Sequence, residues 1–493
     1  MVDLIQHNLS DQESGNDQKN VDSDIPGCRE GNFGVVKDNQ KNSHASQSID
    51  VGSKFHLTKG YTDHLPARYG VGCAQILGAM EVSVTNMKMG EVFLTCAVAL
   101  SGLSRVHAQE MPKTVAQALA MEQADRLPLT EFYSTPKNLT STKPGDLLRK
   151  ESFSGYSLPK GATAVRILYH SLDATGRSVA TSGVVLIPAG TAPPQGWPVI
   201  AWAHGTSGVA RLCAPSAMKD VYYGAEGLLP MVAAGFAVVA TDYHGLGTEG
   251  LHQYVNKVAQ AHDVIYSIPA AHAAVPNLNP EWVVDGHSQG GLAAWGVAEA
   301  QYDLKDPNYL GAVSVAGVAR EGDFFNHLGT TSGVGFYLAF MAAGIHARYP
   351  EFQPRDLVSD AVLEHYTDVT TKGCYYYGYA TYAALPSGTL LRPQWEKIAA
   401  IHQFFEGNAQ GNIPIRGPMF VIAGEADQTV PIDAVRAAVK LMCAHKQPVR
   451  FHSYPGLDHD PTMETSTPEQ LEWIRDRFAG KPATSNCAGS GSS

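Results

Sequence analysis

The sequence predicts an α/β fold: a mostly parallel β-sheet with helices on both faces. Three observations predict it. Short, continuous apolar runs recur from about residue 160 onward, as expected for strands buried on both sides. Stretches of helical period separate them, which is the spacing of crossover connections in a parallel sheet. The alternation is broken once, between residues 320 and 413, by a segment rich in aromatics and glycine.

Residues 164–170 and 179–187 read as the first two strands. A third, at 199–203, ends in His204-Gly205, and a helix follows at about 225–234. The fourth strand, 237–240, runs into Thr241-Asp242-Tyr243. After a helix near 254–273, a fifth strand at 282–284 leads into Gly286-His287-Ser288, and a helix spans 289–300. The sixth strand is at 312–315. Residues 321–412 are helical where they show a period, and read as a helical cap inserted between strands six and seven. Alternation resumes with a strand at 419–422, a helix at 432–444, a strand at 449–454 and a last helix near 468–478. Residues 109–320 and 413–480 therefore form one domain, with 109–150 packed around its outside, and 481–493 form a flexible Gly/Ser tail.

The chain has 493 residues, 44% of them apolar, enough for a sizeable core. Its formal charge of −11 argues against a nucleic-acid partner. Residues 1–50 contain one aromatic, Phe33, among many Asn, Gln, Ser and Asp. Such a segment cannot bury enough apolar surface to offset the entropy of ordering it, which predicts disorder. Residues 87–108 differ: a lysine, a mostly apolar run from Val92 to Leu103 and a Val106-His107-Ala108 end resemble a secretory signal peptide. The run is too short to span a bilayer. Signals of this kind belong at a chain start, so the expectation is that translation begins at Met87 or Met89 and that residues 1–86 are an extension. The competing reading is a buried helix, or an anchor preceded by a cytoplasmic tail. An export signal places the protein outside the cell or in the periplasm. Cleavage after Ala108 leaves Cys213, Cys374, Cys443 and Cys487 of the seven cysteines. An even number in an exported chain suggests two disulfides, with three possible pairings. Cys443 with Cys487 would staple the C-terminus down, and Cys213 with Cys374 would tie a loop near the site to the insertion. Free buried thiols are the alternative. None of the cysteines has the spacing of a metal site.

Gly286-His287-Ser288-Gln289-Gly290 carries the chemistry. Gly-x-Ser-x-Gly alone is a weak signal in a chain with 48 glycines. Here it follows an apolar strand and opens a helix, so Ser288 would sit on a sharp turn with its hydroxyl exposed and a helix N-terminus beneath it. A serine hydroxyl needs a base. His459, after the last strand in Pro455-Gly456-Leu457-Asp458-His459, is the candidate. The base needs a carboxylate to orient it. Gly424-Glu425-Ala426-Asp427 ends the seventh strand, and Asp427 is preferred, with Glu425 its rival in the same turn. The order Ser288, Asp427, His459 is that of the α/β-hydrolase fold. Backbone N–H groups of Gln289 and of Thr206, in the loop after the third strand, are the candidate oxyanion donors. Tyr243 or His244 could line the pocket, or simply form a structural turn.

Several stretches together resemble the secretory lipase family of fungi and bacteria. They are Ala201-Trp202-Ala203-His204-Gly205-Thr206-Ser207-Gly208, Cys213-Ala214-Pro215-Ser216, Thr241-Asp242-Tyr243-His244-Gly245-Leu246-Gly247, Gly286 to Gly291, and Gly424 to Asp427. The resemblance covers roughly residues 110–480. It implies an exported carboxylester hydrolase, a lipase or esterase, with a lid at residues 321–412. It also implies catalysis without metal or cofactor, a lipid or small-molecule ester substrate, and transient contact with a lipid interface. Residues 1–86 have no counterpart in the family. The run Phe336-Tyr337-Leu338-Ala339-Phe340-Met341 would serve a lid and acyl pocket, or simply a buried helix. A peptidase or amidase on the same triad is a related alternative. A non-catalytic ligand-binding protein on the same fold is the alternative of a different class.

Overall fold

The computed structural model describes residues 110–487 apart from residues 223, 225, 226 and 320. The expected extension at 1–86, the signal-like segment at 87–108 and the end of the tail lie outside the described residues.

Nine strands form one sheet in the order β1-β2-β3-β5-β4-β6-β7-β8-β9. They are β1 (Leu147–Phe153), β2 (Thr163–Leu172), β3 (Ser178–Ile187), β4 (Trp197–Ala203), β5 (Ala237–Thr241), β6 (Leu278–His287), β7 (Tyr309–Val315), β8 (Met419–Gly424) and β9 (Val449–Tyr454). β1, β2 and β3 pair antiparallel, and β3 meets β5 antiparallel. From β5 through β4 to β9 every pairing is parallel. All eight strands read from the sequence are present. β1 is an addition at the edge, so part of the segment expected to pack around the outside belongs to the sheet. Strand numbers therefore rise by one, and the insertion lies between β7 and β8.

Helices cover both faces. In chain order they are α1 (Val115–Asp125), α2 (Leu228–Ala233), α3 (Lys257–Ala274), α4 (Gln289–Leu304), α5 (Glu321–Thr330), α6 (Tyr337–Arg348), α7 (Pro354–Leu357), α8 (Asp360–Thr371), α9 (Tyr375–Tyr382), α10 (Ala399–Asn408), α11 (Ile432–Ala444) and α12 (His459–Phe478). Val199, Ala201 and Ala203 face one layer with Val264 of α3 and Trp295 of α4. Ile200 and Trp202 face the other, with Met231 of α2 and Ile474 of α12. That period-two division along β4 is how a strand buried on both faces splits its side chains. The insertion holds α5 to α10. Phe336 to Met341 are buried, and Phe340 packs on Tyr254 with ring centroids 6.0 Å apart.

Two disulfides, Cys213–Cys374 and Cys443–Cys487, are formed, with Cα atoms 5.5 and 5.1 Å apart. The first joins the loop after β4 to the residue before α9. The second fastens the tail to the end of α11.

Candidate active site

β6 delivers Ser288 to the C-terminal edge of the parallel sheet, and α4 starts at the next residue. Ser288 takes φ 58° and ψ −117°, a backbone conformation that costs a non-glycine residue roughly 1–3 kcal/mol. Its neighbours explain the two glycines. A Cβ on Gly286 would lie 2.3 Å from the Gly290 carbonyl oxygen, and one on Gly290 would lie 1.8 Å from that of Ala203. The turn is thus pressed against the end of β4, and only glycine fits at both positions. The Ser288 amide donates to the Val315 carbonyl at 2.9 Å, fixing the turn to β7.

β8 and β9 deliver the other two groups. Asp427 Oδ1 accepts from the Thr429 and Val430 amides, both at 2.8 Å, and Oδ2 accepts from His459 Nδ1 at 2.8 Å. With its Nδ1 proton committed to the carboxylate, the neutral ring carries its lone pair on Nε2. That atom is buried and has no hydrogen-bond partner among the described residues. Asp458 caps α12 through Oδ1, which accepts from the His459 amide at 2.8 Å. Glu425 faces elsewhere, accepting from Arg436 at 3.0 Å and Ser453 at 2.7 Å. Burial pulls the His459 ring down, but Asp427, by charge and hydrogen bond, then Asp460 and Asp458, more than offset it and raise it to about 9.

Thr206 is buried in the loop after β4, its hydroxyl 2.7 Å from the Tyr254 hydroxyl. Its carbonyl accepts from the Tyr222 hydroxyl. Gln289 is the first residue of α4, and its side-chain Nε2 is 3.1 Å from His252 Nε2. Tyr243 is fully buried, packs on His204 with ring centroids 4.4 Å apart and the planes tilted by 34°, and donates to the His204 carbonyl at 3.2 Å. The His244 amide donates to Asp263 at 2.8 Å, and His244 lines a small cavity together with His252 and Asp263.

Three supporting residues escape sequence reasoning. His252 holds the Gln289 side chain, and Tyr254 holds the Thr206 hydroxyl. His287 packs its ring on His459 with centroids 4.7 Å apart, and hydrogen-bonds to the His459 backbone. Burial first, then the His459 charge, keeps His287 well below the usual range, and so neutral. His287 stands inside the Gly-x-Ser-x-Gly motif, which was the available signal. His252 and Tyr254 had none beyond lying downstream of β5.

The fold and this arrangement of groups define an α/β-hydrolase of the lipase and esterase class. The chain belongs to the secretory lipase family, whose model matches residues 215–486. It is 26% identical over 378 residues to a probable inactive lipase of Mycobacterium tuberculosis, spanning 72% of this chain and 82% of that protein. A secreted triacylglycerol lipase of Malassezia globosa is 22% identical over 386 residues, covering 72% and 80% of the two chains. Among solved structures, the closed state of Candida antarctica lipase A superposes with a TM-score of 0.63 at 20% identity, over 73% of this chain and 89% of that one. The rice cell wall degrading esterase of Xanthomonas oryzae superposes with a TM-score of 0.58 at 17% identity, over 69% and 100%.

Proposed function

We propose that this protein is an active, exported serine carboxylester hydrolase working through an acyl-enzyme on Ser288. The observation that carries the reading is the buried His459–Asp427 pair, with Nε2 unpartnered, next to the strained turn that bears Ser288. In this reading Ser288 Oγ attacks the ester carbonyl carbon while His459 Nε2 takes its proton. The Thr206 and Gln289 amides donate to the oxyanion of the tetrahedral intermediate. Asp427 holds the ring tautomer and stabilises the imidazolium. His459 then protonates the leaving alcohol. Water enters, gives a proton to His459 and releases the acid.

Residues 109–320 and 413–480 form the catalytic domain in this proposal, and residues 321–412 a lid over the site. Tyr337 of α6 and Tyr375 of α9 support that placement. Both are pushed up mainly by burial, and both also feel the charge of Asp460 beside His459. The two disulfides and the secreted relatives support export. The secreted triacylglycerol lipases among its relatives support a lipid ester as substrate.

A fluorophosphonate probe tests the reading. The protein should be labelled at Ser288, and Ser288→Ala should lose labelling and lower ester turnover by about 10³-fold or more with its circular dichroism unchanged. One relative is named a probable inactive lipase, so absence of labelling in the folded wild type would reclassify this chain as a ligand-binding scaffold.

A further inference from the structure

His459, His287 and Asp460 do more than surround a base. One donor atom from each lies within 4.8 Å of those from the other two. The residues come from two elements: His287 ends β6, while His459 and Asp460 open α12. Two imidazoles and a carboxylate are the donor set that zinc-like divalent ions take, leaving a fourth position open. A tetrahedral zinc ion needs its donors about 3.4 Å apart, so the set must contract. Asp460 is the exposed member of the set.

A second observation concerns the same histidine. His459 is 6% exposed, its Nδ1 is committed to Asp427, and its Nε2 is buried without a hydrogen-bond partner among the described residues. A buried imidazole nitrogen in that state is a ligand atom prepared in orientation. The carboxylate on Nδ1 fixes the ring and raises its basicity as an outer-shell partner does for a zinc-bound histidine. His287 is held similarly by its hydrogen bond to the His459 backbone. The N-terminus of α12 opposes a cation, but the carboxylates of Asp427, Asp458 and Asp460 around the ring outweigh a partial dipole charge.

We propose that His287, His459 and Asp460 form an inhibitory binding site for a divalent transition-metal ion of the zinc type. The ion takes the Nε2 lone pair, so the ring can no longer accept the Ser288 proton. Binding rests on the geometry of the three donors. Inhibition rests additionally on the reading of His459 as the base.

The test uses untagged full-length protein and zinc chloride. Hydrolysis of a soluble short-chain nitrophenyl ester should fall with added zinc and recover fully with EDTA. Asp460→Asn removes one of the charges that raise His459, so inhibition is read as a fraction of each variant's own metal-free rate; this variant should need about tenfold more zinc than wild type for the same fractional inhibition. Equilibrium dialysis provides a readout independent of catalysis: wild type should bind one more zinc per chain than His459→Ala or His287→Gln. Equal zinc uptake by wild type and His459→Ala overturns the site, as does an inhibition curve unmoved by Asp460→Asn. A chain that binds the extra zinc but hydrolyses no ester keeps the metal site and removes the catalytic reading instead. A chain that hydrolyses esters and binds no extra zinc does the reverse.

Discussion

At the scale of residues, His459 combines two demands that oppose each other. Asp427, Asp460 and Asp458 stabilise its protonated form and raise the ring to about 9 despite its burial. In the proposed role of base the ring must be unprotonated to act. In the metal-free enzyme, kept so by chelator, kcat/KM on a soluble ester should therefore fall about tenfold per pH unit below that value and level off above it. Asp427→Asn removes the largest raising influence, so the limb should move to lower pH even as kcat drops by about 10³-fold or more. A profile already flat from about pH 7 upward would show that the three carboxylates do not outweigh the burial of the ring. The same shift bears on stability with a definite sign. The folded state binds the proton more tightly than the unfolded state, whose ring has the ordinary value of 6.5. The contribution is full below 6.5 and is lost as pH rises through about 9. Ser288, Asp427 and His459 were legible in sequence because each follows a recognisable strand and the order is distinctive. His287, His252 and Tyr254 were not, because their contacts arise only when strands distant in sequence become neighbours.

At the scale of elements, α12 illustrates why boundaries are harder to read than existence. The sequence suggests a helix starting at Pro468, since proline favours the first turn. The helix in fact starts at His459 and runs on through Pro468. Asp458 is the true cap. Its Oδ1 accepts from both the His459 and Gln428 amides at 2.8 Å, so one carboxylate ties the base helix to the loop that carries Asp427. β1 was missed for a related reason: its residues, Leu147–Phe153, are half-buried and include Arg149, Lys150 and Glu151, so no apolar run marks an edge strand. The cap makes a prediction about catalysis as well as stability. Asp458→Ala should cost about 1–2 kcal/mol in urea unfolding, the usual value of a lost N-cap. It should also lower kcat more than it raises KM, because the loop and helix that align Asp427 with His459 lose their common tie. Unchanged unfolding together with unchanged kcat would mean that the two elements are aligned by packing alone.

At the scale of the whole molecule, the insertion is legible as a break in alternation, but what fastens it is not. Three ties hold it. The Cys213–Cys374 bridge closes a sequence separation of 161 and anchors the start of α9 to the loop after β4. Glu122 of α1 caps that same helix, its Oε1 accepting from the Tyr377 amide at 2.8 Å and the Cys374 amide at 3.1 Å. Gly344 of α6 lies so close to Tyr254 that a Cβ there would be 2.5 Å from its carbonyl oxygen. The second bridge, Cys443–Cys487, closes a separation of only 44 and joins α11 to the tail, both outside the insertion in sequence. Loop-closure entropy assigns the two bridges similar worth, about 5 and about 4 kcal/mol, because the dependence on length is logarithmic. They should nonetheless act on different parts of the molecule. Replacing Cys213 and Cys374 by serine should lower the melting temperature and accelerate hydrogen exchange across α9 and the neighbouring helices of the insertion, with the central strands still protected. Replacing Cys443 and Cys487 should lower the melting temperature comparably but quicken exchange only in the tail and the end of α11. If the first pair leaves exchange in the insertion unchanged, Glu122 and the Tyr254 contact hold it without the bridge. Adding Glu122→Gln to that variant would then be expected to release it.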